Sequence, residues 1–159
     1  MLQEWEGNLM REIKFRVWDN EQQEYLNTDI LHIKNDGTLL ISKKGENPWS
    51  ALLSSGCNSE RFVIEFSTGL KDKNGNEIFV NDIIEMHYFE QYAGPGEVEK
   101  TVVGVVGKDS MGCFTRVGDK KCYWLYYLED AEYYGDAEHN EELELLGNIH
   151  ENPELLEEK

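Results

Sequence analysis

The chain has 159 residues and a mass of 18.5 kDa, room for one domain, and at this length about two-thirds of the unfolded surface is buried on folding. Apolar residues make up 40% and aromatics 11% of it, which excludes an intrinsically disordered tail. With 32 acids against 15 bases the net charge is −17, which repels phosphate backbones and anionic lipid heads, so neither direct nucleic acid nor membrane is an expected partner.

Residues 1–9 show no apolar period, and the first patterned strand follows Met10. Glu6-Gly7 must be encoded by a purine-rich stretch resembling a bacterial ribosome-binding sequence a short spacer before Met10. We therefore read translation as starting at Met10 and set residues 1–9 aside as an upstream extension. From Ile13 to Trp18, apolar Ile13, Phe15 and Val17 alternate with Lys14, Arg16 and Trp18, the period of a half-buried strand. A polar turn at Asp19-Asn20-Glu21-Gln22 follows. Then Asn35-Asp36-Gly37 separates the runs around Ile33 and Leu39, a strong hairpin signal because glycine adopts positive φ at least cost. Residues 10–67 are accordingly expected to hold an antiparallel β-meander and a long connection, with one helical turn near Trp49–Leu53.

Arg61–Phe66 alternates again, with Phe62, Ile64 and Phe66 on one face. Gly69–Asn76 reads as a loop of residues that bond their own amides or tolerate left-handed backbone. Strands are expected at Ile83–Phe89, Val98–Val106, Cys113–Val117 and Tyr123–Leu128, with turns at Tyr92–Gly96, Gly107–Gly112 and Gly118–Lys121. The acidic stretch Glu129–Glu144 reads as a solvated loop and Leu145–Ile149 as a last short strand. Short strands joined by glycine turns indicate a small barrel over residues 68–150. A short C-terminal helix is expected at residues 151–159, because Asn152 can cap it, Pro153 suits its first position and Glu154 meets the positive dipole end. Being too short to persist alone, it should dock Leu155 and Leu156 on apolar surface, of this chain or of a second copy. The segments together are read as one compact unit.

The motifs that could carry chemistry fail at their defining positions. Asp72-Lys73-Asn74-Gly75-Asn76 superficially matches a calcium loop, but the sixth position is Glu77 and the twelfth Ile83, where glycine and glutamate are required. Gly104–Ser110 lacks the spacing and the Lys-Ser/Thr step of a phosphate-binding loop. Cys57, Cys113 and Cys122 form no Cys-x-x-Cys pair, and His32, His87, His139 and His150 are scattered, so neither zinc nor a disulfide framework is expected. No nucleophile elbow appears. No catalytic, cofactor-binding or metal-binding residue is assigned, no cofactor is expected, and the chain is not read as an enzyme.

The aromatic cluster Tyr123-Trp124-Leu125-Tyr126-Tyr127-Leu128 is the most suggestive local feature. Alternate rings on a strand face opposite sides, so one set packs the core and the other can form a subunit interface. Base stacking is disfavoured by flanking Glu129, Asp130, Glu132 and Asp136. Tyr123, Trp124, Tyr126 and Tyr127 with Leu155 and Leu156 are thus the candidate interaction residues. From Glu129 to Lys159 there are 12 acids and one lysine, a balance of −11. The ordinary reading is a solvated face, and the sharper one a carboxylate display for a basic partner.

Three ordered blocks resemble the YopX family of phage and prophage proteins. They are Met10-Arg-Glu-Ile-Lys-Phe-Arg-Val-Trp-Asp, Thr68-Gly-Leu-Lys-Asp-Lys-Asn-Gly-Asn-Glu-Ile-Phe-Val-Asn-Asp-Ile-Ile and Leu146-Gly-Asn-Ile-His-Glu-Asn-Pro-Glu-Leu-Leu. The resemblance implies a mainly β protein with an SH3-like β-barrel, encoded by a phage or prophage and resident in the bacterial host cytoplasm. It transfers no catalytic residue. Asn81-Asp82 stands where the family has Gly-Asp, and Phe79 and His150 stand where it has tyrosine; asparagine at positive φ lets the first turn survive. The functional expectation is a non-enzymatic accessory protein that self-associates as a homo-oligomer. The alternative is an acidic inhibitor or DNA mimic that binds a basic host protein.

Overall fold

The computed structural model describes residues 14–26, 31–33, 39–41, 60–91, 97–127 and 141–157. The chain is mainly β and antiparallel, and forms two compact units, residues 1–66 and 67–159. The helical turn expected near Trp49–Leu53, residues 129–140 of the expected acidic loop and the turn residues 34–38 lie outside the described residues.

In the first unit β1 (Phe15–Asp19) pairs with β2 (Glu24–Tyr25), Trp18 opposite Tyr25. Strands β3 (Leu31–Ile33) and β4 (Leu39–Ile41) pair as the expected hairpin, but with Ile33 opposite Leu39, one residue off the Ile33–Leu40 register that a two-residue Asp36-Gly37 loop would give. The other neighbour of β1 is not in the meander at all. It is β5 (Phe62–Lys71), with Phe15 opposite Phe66 and Asp19 opposite Phe62. Val17, fully buried, collects Phe15, Leu26, Phe62 and Ile64 into a small core. The opposite face carries Glu65, also fully buried, which accepts from Arg16 Nε and from the Tyr25 hydroxyl, both at 3.0 Å.

Strand β5 does not stop at Phe66. It runs to Lys71, so the expected loop shrinks to residues 72–76, and Ser67 and Lys71 pair with β6 (Glu77–Phe79). Then β7 (Asp82–Gln91), β8 (Glu97–Asp109), β9 (Gly112–Val117), β10 (Lys120–Tyr123) and β11 (Leu143–Asn148) form a five-stranded sheet in the order β10-β9-β8-β7-β11. The sheet curls into half a barrel. Its inner face is the main core, built from Ile84, Met86, Tyr88, Val106, Cys113, Cys122 and Leu143, with Leu70 and Ile78 closing it.

Two expectations fail for identifiable reasons. The strand expected at Tyr123–Leu128 ends at Tyr123, and Trp124–Tyr127 form one helical turn, α1. Trp124 lies in the core beside Cys122, 1% exposed, and the helical turn redirects the chain from there. The expected C-terminal helix is a single 3₁₀ turn, Pro153–Leu156, with no buried residue and no side-chain cap from Asn152. Asn152 is engaged elsewhere: its Oδ1 accepts from the Asn148 N–H at 3.4 Å and lies against Gly147.

Candidate interaction surface

Four polar residues of the three family blocks, Asp19, Asp72, Asp82 and Asn148, accept backbone N–H groups. Asp19, 1% exposed, accepts Arg61 Nε at 3.0 Å and Nη2 at 2.9 Å, together with the N–H groups of Glu21 and Gln22. The Arg61 guanidinium therefore holds the Asp19 carboxyl below the usual range, against the cost of burial. Asp72, fully buried, accepts N–H bonds from Asn74, Asn76 and Leu145 at 2.8–3.0 Å. Burial opposes ionisation of Asp72, yet these donors and the Asn76 amide outweigh it and lower the pKa. Its oxygens are thus occupied by N–H groups, which is the physical reason the loop is an Asx turn and not a cation site. Asp82 accepts the Phe79 N–H at 2.8 Å, and Asn148 Oδ1 accepts those of His150 and Glu151 at 3.0 Å.

Among the described residues no group of three His, Cys, Asp or Glu could hold a metal ion. Cys113 and Cys122 are free thiols, and burial raises both pKa values, the environment of inert core cysteines. Cys57 lies outside the described residues. His87 sits on the outer face of β7, with Nε2 3.1 Å from Glu85, Nδ1 3.0 Å from Thr101 Oγ1 and 3.8 Å from Glu99. Glu144 lies opposite Glu85 and pairs with Lys73 at 2.7 Å, so carboxylates dominate this side.

The same outer face is different at its other strands. On the outer face of β8–β10, the Phe114 ring covers Gly107, where a Cβ would collide with it, and packs edge-on against Tyr123 at 5.5 Å. Lys121 Nζ stands 4.7 Å over Phe114 and 3.1 Å from Asp109. The Tyr123 hydroxyl donates to Asp109 Oδ2 at 2.7 Å, which lowers the Asp109 pKa and raises that of Tyr123. Two large apolar side chains stand out beside this array, Met111 at 58% and Leu125 at 48% exposure. Because Tyr123 faces Phe114 across the β9–β10 ladder, α1 and the Ser110-Met111 turn lie at the same end of the sheet.

The six candidate residues therefore part company. Tyr123 is half-buried on the outer face, and Trp124 belongs to the core. Tyr127 is half-buried, edge-on to Tyr88 at 5.0 Å with Lys120 over its ring. Tyr126 shares the α1 backbone, and its side chain lies outside the described residues. Leu155 is half-buried and Leu156 is 41% exposed, in the 3₁₀ turn and not beside the aromatic cluster by any described contact. Met111 and Leu125 were not legible as a pair, since a turn methionine and a leucine within an aromatic run carry no spacing signal.

A family model described as YopX protein matches residues 14–157. Among solved structures, the crystal structure of protein EF1440 from Enterococcus faecalis is similar to this chain, with a TM-score of 0.54 and 25% sequence identity, over 92% of this chain and 99% of that one. No match was found among the curated proteins. No helix of the described residues is long and apolar enough to cross a membrane.

Proposed function

The chain belongs to the YopX family, and from that premise we propose that it is a phage- or prophage-encoded accessory protein of the host cytoplasm, non-enzymatic, that acts through protein contacts and self-association. Its second unit is read as an SH3-like barrel. The observation that carries the proposal is the contrast between two residue sets. Asp19, Asp72, Asp82 and Asn148 of the family blocks are turned inward onto turns, whereas Met111 and Leu125 are exposed at one end of the sheet beside Tyr123. Apolar side chains gathered at one place on a soluble surface mark a contact site more often than single ones do. Sedimentation over a wide concentration range tests it: the wild type should form a discrete oligomer, which Met111→Ser with Leu125→Ser weakens. A strict monomer throughout would sink the self-association.

A second reading, an acidic inhibitor that binds a basic host protein, is favoured by the Glu85, Glu99 and Glu144 side of the sheet. It requires an association that weakens steeply with added salt, and salt-insensitive binding would count against it.

A further inference from the structure

The two edges of the five-stranded sheet are finished differently. At β11 the outer edge is closed: the Lys73 N–H donates to the Leu143 carbonyl at 2.8 Å, and the Leu145 N–H donates to Asp72 Oδ2 at 2.9 Å. At β10 the ladder bonds of Lys120–Tyr123 go to β9 among the described residues, and the Tyr123 carbonyl also accepts the first bond of the helical turn α1. The hairpin between them has the two-residue loop Gly118-Asp119, with Gly118 at φ 61°. Such a loop closes on a hydrogen-bonded pair, here Val117 and Lys120. Alternation then turns the N–H and C=O groups of Lys121 and Tyr123 outward. Because the Tyr123 carbonyl is taken by α1, the edge offers two donors, the Lys121 and Tyr123 N–H groups, and one acceptor, the Lys121 carbonyl.

Charge says what fits there. Arg116, Lys120 and Lys121 lie on the β9–β10 hairpin against Asp119 and the neighbouring Asp109, a local balance of +1 in a chain of −17. Asp109 is already bound to Tyr123 and Lys121. Successive side chains face opposite ways, so Lys120 and Lys121 place a cation on each face of the sheet. A second β10 would bring four lysines into one short ladder, which like-charge repulsion disfavours.

We propose that the outer edge of β10 is a docking site for an extended acidic segment of a partner protein, which adds as a further strand with its carboxylates against Lys120 and Lys121. This rests on the reading that the protein works through protein contacts, and it names the chemistry of one such contact.

The test uses the full chain with two synthetic probes, an alternating Glu-Val octapeptide and its Lys-Val counterpart. With the Glu-Val peptide at millimolar concentration, the Lys121 and Tyr123 amides should shift and their hydrogen exchange slow by about tenfold or more. The Lys-Val peptide should leave them unmoved. Lys121→Pro removes an outward N–H that β9 does not use and should weaken the Glu-Val peptide by about tenfold, whereas Lys121→Ala, which keeps the N–H, should weaken it less. If the proline variant does not fold, Lys120→Glu with Lys121→Glu keeps both amides and should exchange the preference between the two peptides. Glu-Val peptide that leaves both amides unchanged, or binds the proline variant as tightly as the wild type, overturns the proposal. So does protection of these amides that grows with protein concentration alone, which would assign the edge to a second copy, or a response to single-stranded DNA with the peptide inert. A silent edge in a chain that still self-associates removes this proposal and leaves the broader reading standing; a silent edge in a strict monomer removes both.

Discussion

The indole N–H of Trp124 donates to Thr115 Oγ1 at 2.9 Å, with both side chains at most 1% exposed, and the Thr115 hydroxyl in turn lies 3.6 Å from Met86 Sδ. This bond fastens the helical turn α1 to the floor of the half-barrel. Thr115→Val keeps the volume and leaves the indole donor without an acceptor in the core, a loss of about 1–3 kcal/mol. Trp124→Ala opens a large cavity and should cost about 3–5 kcal/mol. Urea unfolding followed by amide exchange in β8 and β9 measures both, and an unchanged midpoint for Thr115→Val would show that the bond contributes nothing.

The same residue shows where the sequence ceases to be readable. Period-two patterning located the strands at Phe15, Phe62 and Ile83, because one face of each is apolar and the other is not. Tyr123–Leu128 reads as one strand, and nothing in its local composition marks the helical turn that begins at Trp124 and is bonded to Thr115. The pairing of β1 with β5 and the burial of Glu65 were equally hidden: both depend on which distant strand arrives, and local alternation marked the Glu65 face as polar. Of the interaction residues, the tyrosines and Trp124 were visible as a cluster. Alternation accounts for Tyr123 outside and Trp124 inside, whereas the inward contact of Tyr127 with Tyr88 follows from the turn at α1.

Asp72 links the 72–76 turn to β11 through the Leu145 N–H, and its lowered pKa fixes the direction of an acid response. In the unfolded chain it takes up a proton as pH falls through the ordinary carboxylate value of about 3.9, while in the folded chain it remains ionised. The unfolded state then binds more protons. The stability Asp72 contributes is therefore present above that value and is lost as pH falls through the folded pKa; Asp19, lowered by Arg61, acts in the same direction. Asp72→Ala leaves three backbone donors unmatched, a loss of about 2–4 kcal/mol at neutral pH. Asp72→Asn should flatten the fall in stability below about pH 4. Denaturant midpoints across the acid range would reveal an unaltered slope if the carboxylate had no such role.

Asn81 occupies φ 72°, donates its N–H to the Val106 carbonyl at 2.9 Å and accepts the Ile149 N–H at 3.1 Å. Its backbone is therefore pinned from two sides in a left-handed conformation. Asn81→Gly should leave the melting temperature unchanged or raise it slightly, because glycine removes the steric penalty and gives back part of that gain as unfolded-state entropy. Asn81→Val puts a branched Cβ at positive φ and should cost about 1–2 kcal/mol or more. Calorimetry on the two variants separates the outcomes, and a valine variant as stable as the wild type would mean that the turn relaxes to negative φ.

Gly147 and Asn152 meet where the chain leaves β11 and enters the 3₁₀ turn. A Cβ on Gly147 would come within 2.7 Å of Asn152 Cγ and 2.9 Å of its Cβ, so the asparagine occupies the space a side chain needs. The bulge between Leu145 and Gly147 brings the strand to this point and leaves Leu146 37% exposed. Gly147→Ala must push Asn152 away, with loss of its bond to the Asn148 N–H and a cost of about 1–3 kcal/mol. Asn152→Gly alone should cost less, since glycine is tolerated at the start of a helical turn. The two changes share one cause. In the double variant the collision is gone, so its stability should lie near that of Asn152→Gly and well above the sum of the two losses. A double-mutant cycle by urea unfolding measures this coupling, and strictly additive losses would mean that the alanine is accommodated by movement of β11 itself and not by displacement of Asn152.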